Sequence, residues 1–366
     1  MIYPLISIIM PVYNAKDYIG KTISSILTQD FDAFELIIIN DGSTDGSDII
    51  CKKIAAEDSR ITIINQKNTG TSAARNAGLD IARGKYITFC DHDDEFLPHL
   101  LVDNFKLVTS NHADFVAYSF KETLELSKGS NEKKSPFLKY TADDIYKCYV
   151  NIRSNPLFKN VWNHLYDREC IGNVRFYEKF THGLEDILFN MEILNGVKKN
   201  IVFSNHIYYN QNVHTKSSSH SFCKSLNDSS FFEYQYFLSK ELEFLKKYTS
   251  SKNDNSFILI DNIYRLYKRC DPNGPLFRKL SQHSFFSYPL KKKSGKILLF
   301  AMRHSPFLFT ILCRIQYAAP EDCFENTALF GFFANMYNSK KGRWFFNLCN
   351  NAIKCGTIPF RLLGNK

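Results

Sequence analysis

Tyr86-Ile87-Thr88-Phe89-Cys90-Asp91-His92-Asp93-Asp94 is the stretch on which the reading of this chain turns. A β-branched and aromatic run stops at a cluster of carboxylates. Acids packed this closely at a strand end repel one another. A hard divalent cation offsets that cost when it sits among them and reaches a substrate diphosphate. The same acids suit a plainer role as caps of the following helix, because Asp93 and Asp94 precede Phe96-Leu97-Pro98. The flanking sequence separates the two readings.

Upstream, short β-branched runs alternate with helical spacing. Leu5 to Met10 reads as a strand, and Tyr18, Ile19, Thr22, Ile23, Ile26 and Leu27 then recur at helical intervals. Leu36 to Ile39 is a second strand, followed by a helix from about Asp45 to Glu57, a strand at Ile61 to Ile64 and a helix from Ser72 to Ala82. Downstream, a helix from Leu97 leads to a strand at Asp114 to Tyr118. This alternation predicts an α/β fold with a mostly parallel sheet flanked by helices. Ligands of such sheets lie beyond the carboxyl ends of the strands. Tyr13 and Asn14 follow the first strand, Asn40-Asp41-Gly42-Ser43 the second and the acid cluster the fourth, so three distant segments are expected to share one crevice.

At 366 residues the chain accommodates a catalytic domain and a smaller companion. Composition is that of a globular protein, with 44% hydrophobic and 15% aromatic residues, and the net charge of +9 does not by itself select a partner. The ten cysteines show no C-x-x-C pair, so neither zinc nor a disulfide framework is indicated and a reducing cytosol is expected. Met1-Ile2-Tyr3-Pro4 lacks a basic leader, and no apolar run reaches the roughly 18 residues of a membrane span. Lys121 to Pro136 turns polar and aperiodic and reads as a loop. Lys216 to Ser221 reads as the end of the catalytic domain, beyond which Phe231, Phe232, Tyr234, Tyr236, Phe237, Leu242 and Leu245 recur at helical spacing.

Six segments in order resemble the family-2 glycosyltransferases, inverting enzymes of GT-A fold that use nucleotide-sugars. They are Ser7-Ile8-Ile9-Met10-Pro11-Val12-Tyr13-Asn14, the stretch from Ile38 to Ser47, the stretch from Asn68 to Gly78, Gly84-Lys85-Tyr86-Ile87 with the acid cluster, Trp162-Asn163-His164-Leu165-Tyr166, and Gly183-Leu184-Glu185-Asp186. The resemblance covers about residues 5 to 215. It implies a catalytic domain over 1–215, with a nucleotide-sugar half over about 1–120 and an acceptor half over about 121–215, and a mainly helical region over 216–366.

The resemblance also implies roles. Asp41 accepts the N3 proton of uracil, which favours UDP over CDP and leaves dTDP and GDP open; the plainer role for Asp41 is an Asx-turn cap before Gly42. Pro11, Val12, Tyr13 and Asn14 border the base, with Tyr13 stacking or merely packing. Arg75, in the first turn of a helix, wants a nearby anion such as a diphosphate, or else is an ordinary exposed arginine. Asp91 contacts ribose, His92 fills a variable position beside it, and Asp93, with Asp91, holds Mn²⁺ or Mg²⁺. Asp94 supports them. Asp186 is the candidate general base, expected to be kept ionised by its place at a helix start, with Glu185 orienting it or the acceptor; helix capping is the plainer role of both. Trp162, His164 and His182 fall on the acceptor side, although lysine is common in relatives where His164 stands. His214 lies in a loop that closes over the nucleotide in relatives.

The function so implied is transfer of a sugar, from UDP most readily, to a hydroxyl of a growing polysaccharide or lipid-linked oligosaccharide of a bacterial surface. The rival is a catalytically inactive homologue that binds nucleotide or glycan in an assembly complex. No nucleic acid is expected as a partner. Lys291-Lys292-Lys293 and Lys296 before Ile297 to Met302, Phe307-Leu308-Phe309, and Arg343-Trp344-Phe345-Phe346 suit docking on the inner face of an anionic membrane, or equally helices packed with lysines in solvent.

Overall fold

The computed structural model describes residues 3–125, 129–154, 156–180, 183–214 and 228–248, with 258, 262, 279 and 282–284. The chain forms two compact units, one of Met1–Phe222 with Glu243–Tyr248 and one of Cys223–Leu242 with Thr249–Lys366. In the described helix Asp228–Tyr248, Phe231, Tyr234, Phe237, Leu238, Leu242 and Leu245 are buried while Phe232 is exposed. Lys216 to Ser221, His182 and the basic-aromatic segments after 290 lie outside the described residues.

Among the described residues the first unit is built on a ten-stranded sheet. Strands β1 (Ile6–Val12), β2 (Phe34–Asp41) and β4 (Tyr86–Phe89) are buried along their whole lengths, which is why they appear as continuous apolar runs. Strand β3 (Ile61–Gln66) closes this edge and is only partly covered. The order β3-β2-β1-β4 is wholly parallel. Helices α1 (Ile19–Leu27), α2 (Ser47–Ala55) and α3 (Thr71–Ile81) make the crossovers. A Cβ on Gly78 would lie 2.4 Å from Ile9 Cγ2, so the glycine lets α3 rest directly on β1.

Beyond β4 the sheet becomes mixed. Strand β9 (His164–Asp167) inserts antiparallel between β4 and β6 (Ala113–Leu124), and β6 runs parallel to β10 (Asn200–Val213). Strands β5 (Glu95–Phe96) and β8 (Leu138–Thr141) pair antiparallel with β10. Strand β7 (Gly129–Lys133) pairs antiparallel with β6, so the expected loop from Lys121 is instead a continuation of β6 and a return strand. Both are polar and half-exposed there, which hid the strands from a periodicity test. Helix α4 (Leu100–Ser110) leads into β6, and α5 (Ile145–Ser154), α6 (Arg168–Ile171) and α7 (Glu185–Leu194) complete the unit.

Candidate active site

The loops at the carboxyl ends of β1, β2 and β3 are wired together. Asn14 takes a left-handed backbone with φ of 50°, its N–H donates to Ser43 Oγ at 3.1 Å, and its Oδ1 accepts from the Thr44 N–H at 2.9 Å. Asn40 accepts from the Ser43 N–H at 3.1 Å, so the turn-capping role considered for Asp41 belongs to its neighbour. Asp41 is buried and clasps the start of α3: Oδ1 accepts from the Thr69 N–H at 2.9 Å and Gln66 Nε2 at 2.8 Å, and Oδ2 from the Gly70 N–H at 2.8 Å. One bond to Oδ2 leaves that oxygen able to accept another. Pro11 and Val12 are buried in β1, and Tyr13 stands exposed at the rim.

Arg75 joins the two halves of the site. It is 3% exposed, which rules out an ordinary surface arginine. Nη1 donates to Asp186 Oδ1 at 2.7 Å and Nη2 to Asp91 Oδ1 at 2.9 Å. The anion that the helix start called for is thus supplied by two carboxylates of the protein itself. Phe176 lies 5.3 Å from the guanidinium and stacks on Phe189 of α7, with ring centroids 4.1 Å apart. Asn76 exchanges two hydrogen bonds with the backbone of Phe176, which fixes that ring beneath Arg75.

Asp186 sits in the first turn of α7, beside Glu185. The expectation that the helix start would hold it ionised well below neutrality is corrected. Burial raises its carboxyl to about 7, assisted by the charges of Glu185 and Asp91, while Arg75 pulls it down. Desolvation wins although the side chain keeps 14% of its exposure, because most of the carboxylate's surroundings are protein and two further carboxylates lie nearby.

The acid loop is held on several sides. His92 Nδ1 lies 3.2 Å from the Pro11 carbonyl, and Thr22 donates to the His92 carbonyl at 2.9 Å, so His92 ties the loop to β1 and α1. Asp93 Oδ2 is 2.8 Å from His214 Nε2, and the His214 ring stacks on Tyr18 at 4.6 Å. Asp94 is buried between Tyr209 and Asn212, and burial beside Asp93 and Asp91 raises its carboxyl well above the usual range. A cavity of about 250 Å³ opens beside Asp93, lined by Tyr18, Lys21, Glu95, Glu125 and His214 among others.

Two acceptor-side expectations are corrected. Trp162 is buried and stacks on Tyr209, with centroids 4.3 Å apart. His164 is fully buried in β9 beside Phe115, Phe158 and Tyr166, and neither ring nitrogen has a hydrogen-bond partner. Enclosure pushes its pKa down to about 3. Both side chains are buried among aromatic residues. Tyr209, Asn212 and Phe176 escaped notice in the sequence because each acts on residues about a hundred or more positions away.

Thus Asp91 and Asp186 converge on Arg75, Asp93 two residues on from Asp91 is paired with His214, and Asp41 fixes the start of the helix that carries Arg75. The profile described as glycosyl transferase family 2 matches residues 7–169. An uncharacterized glycosyltransferase of Haemophilus influenzae is 35% identical over 206 residues, covering 55% of this chain and 76% of the relative. The chain belongs to glycosyl transferase family 2. Glycosyltransferase GlyA of Streptococcus pneumoniae is 34% identical over 190 residues, covering 47% of this chain but 25% of GlyA. YibD of Escherichia coli is 32% identical over 197 residues, with 52% of this chain and 56% of YibD covered. The chain therefore matches only part of the length of these two relatives. Among solved structures, residues 1–349 of Staphylococcus aureus TarS in complex with UDP-GlcNAc superpose with a TM-score of 0.60 at 19% identity, covering 86% of this chain and 91% of that one. The longer TarS structure gives 0.61 at 19% identity, covering 81% of this chain and 52% of TarS. That likeness establishes the shared fold. No helix among the described residues is long and apolar enough to cross a membrane.

Proposed function

We propose that this protein moves a sugar from a UDP-sugar to an acceptor hydroxyl with inversion at the anomeric carbon. The observation that carries the proposal is the buried Arg75 bridge, which sets Asp186 of α7 and Asp91 of the acid loop on one guanidinium. Asp186 then acts as general base. A carboxyl raised to about 7 is half ionised at neutral pH and basic enough to take a hydroxyl proton. The oxygen so freed attacks opposite the departing diphosphate. The solved TarS complex with UDP-GlcNAc supports a UDP-linked donor. Asp41 Oδ2 is the acceptor offered to a base N–H.

The donor set fits a cation shared with substrate. Asp91 Oδ2 and Asp93 Oδ1 have no hydrogen-bond partner among the described residues. No group of three or more His, Cys, Asp or Glu among those residues is placed to hold an ion unaided. One or two carboxylates completed by phosphate oxygens is how Mg²⁺ is commonly bound. Asp93 and Asp91 would hold Mn²⁺ or Mg²⁺, which when bound neutralises charge growing on the diphosphate.

The test measures UDP released from candidate UDP-sugars, with and without EDTA and with a glycan acceptor. Release that depends on metal and acceptor is the expected result. UDP binding with no turnover for any donor supports the inactive homologue instead. Docking of the lysine-rich segment on anionic lipid is part of the proposal, tested by flotation with liposomes containing phosphatidylglycerol. A Lys291→Ala/Lys292→Ala/Lys293→Ala variant should float less, and equal flotation removes that part.

A further inference from the structure

The end of β10 also grips the acid loop, through contacts separate from those of Arg75. The Asp91 N–H donates to Tyr209 Oη at 3.2 Å, and Tyr209 Oη donates to Asp94 Oδ2 at 2.8 Å. The Asn212 N–H donates to Asp94 Oδ1 at 2.8 Å, and its side-chain Nδ2 donates to the Asp93 carbonyl at 2.8 Å and to Glu95 Oε1 at 3.0 Å. Backbone pairing of Tyr209 with Phe96 and Asn210 with Glu95 closes the far end of the loop. Each residue from Asp91 to Phe96 except His92 is thereby fixed to β10. Trp162 packs face to face on the Tyr209 ring, with centroids 4.3 Å apart, and supports it from one side.

Neither Tyr209 nor Asn212 has a side-chain atom on Asp91 Oδ1, Asp91 Oδ2, Asp93 Oδ1 or Asp93 Oδ2, the oxygens assigned above to Arg75, His214 or a cation. Their bonds to the loop go to the backbone of Asp91 and Asp93, to the buried carboxylate of Asp94 and to Glu95 Oε1. Within the acidic turn the Asp94 N–H donates to the Asp91 carbonyl at 3.2 Å, while the mutual repulsion of the carboxylates favours splaying. Tyr209 and Asn212 supply the restraint from outside. Asp94 serves as the buried post to which both attach.

We propose that Tyr209 and Asn212 are positioning residues for the donor: they hold the Asp91–Asp94 backbone so that Asp91 and Asp93 meet a metal-bound nucleoside diphosphate without reorganisation. This rests on the nucleotide-sugar reading given above. Preorganisation of this kind lowers the cost of binding, so its loss falls on affinity.

Calorimetric titration of UDP in the presence of Mn²⁺ reads that affinity directly for the wild type, Tyr209→Phe and Asn212→Ala. Tyr209→Phe keeps the ring against Trp162 and deletes only the hydroxyl. In each variant the UDP dissociation constant and the Mn²⁺ concentration for half-maximal UDP binding should rise about fivefold, the factor that one hydrogen bond of ordinary net strength represents. Turnover at saturating donor and Mn²⁺ should change by less than about threefold, since the restraint is not part of the transition state. A role in stability alone would lower the melting temperature and leave the UDP constant of the folded protein unchanged. That result in Tyr209→Phe overturns the proposal, as does a loss confined to kcat. Should Tyr209→Phe fail to fold, Asn212→Ala carries the same test, because its backbone N–H on Asp94 is kept. Failure of the wild type to bind UDP, with or without Mn²⁺, overturns the nucleotide-sugar reading and this proposal with it. Tight binding by the wild type with unaltered variants overturns the positioning role alone.

Discussion

His164 makes the first unit sensitive to mild acid by an amount that follows from its burial. Its ring is enclosed by Phe115, Phe158 and Tyr166, no hydrogen bond serves either nitrogen, and its pKa falls to about 3 from the ordinary 6.5. The folded chain thus keeps the ring neutral where the unfolded chain protonates it. Between those two pKa values the unfolded state binds the extra proton, so stability is complete above pH 6.5 and is lost as pH falls toward 3. Between pH 7 and pH 5 the loss amounts to about 2 kcal/mol, at 1.36 kcal/mol per pH unit once below the unfolded pKa. This figure hardly depends on the folded value, provided that value lies below about 4. His164→Leu, close to isosteric, removes the titration and also the two unserved nitrogens, so it should be at least as stable as the wild type at pH 7. Urea unfolding at both pH values, followed by Trp162 fluorescence in a Trp344→Phe background, compares the two proteins. The wild type should lose about 2 kcal/mol more than His164→Leu on going from pH 7 to pH 5. Parallel losses in the two proteins, within about 0.5 kcal/mol, would show that His164 finds a partner or a proton in the fold and refute the reasoning.

Asp186→Asn should bind UDP as the wild type does and lose at least about a hundredfold in transfer, since removal of a general base costs that much; wild-type rates would dismiss Asp186 as the base. In the wild type, transfer at saturating substrate should rise with pH through about 7, where Asp186 ionises, and a profile already flat above pH 5 would contradict the raised carboxyl. Arg75→Met leaves Asp91 and Asp186 without their shared cation, so the Asp186 limb should move to higher pH and stability should fall by about 3 kcal/mol in thermal or urea unfolding; an unmoved limb would mean that the ion pair is absent in solution. Asp93→Ala should abolish the metal dependence of UDP binding in calorimetry, and a retained dependence would move the cation elsewhere.

The parallel half of the sheet was legible because β1, β2 and β4 are buried on both faces and must be apolar throughout, while their crossover helices carry a single apolar stripe. The polar edge pair of β6 and β7 has no such requirement and looked like a loop. Motif order located the acids correctly at strand ends, since a parallel sheet leaves its carboxyl-end loops together. Burial was not legible from motif order. Trp162 and His164 stand in a recognisable segment, yet what buries them comes from elsewhere in the chain: Phe120 and Tyr209 against Trp162, and Phe115 against His164. Likewise Tyr209 carries no local signal, because its partners Asp91 and Asp94 lie 118 and 115 positions away.

Arg75 gives the molecule a division of labour. Asp186 belongs to the acceptor half in sequence, but its carboxylate is anchored by a guanidinium projecting from α3, next to the Asp41 clasp. On the proposed function, the carboxylate that would take the proton is thereby tied to the same helix start that Asp41 holds. If Asp186 is the base, changes in the acceptor-side loops would leave its anchor on α3 in place.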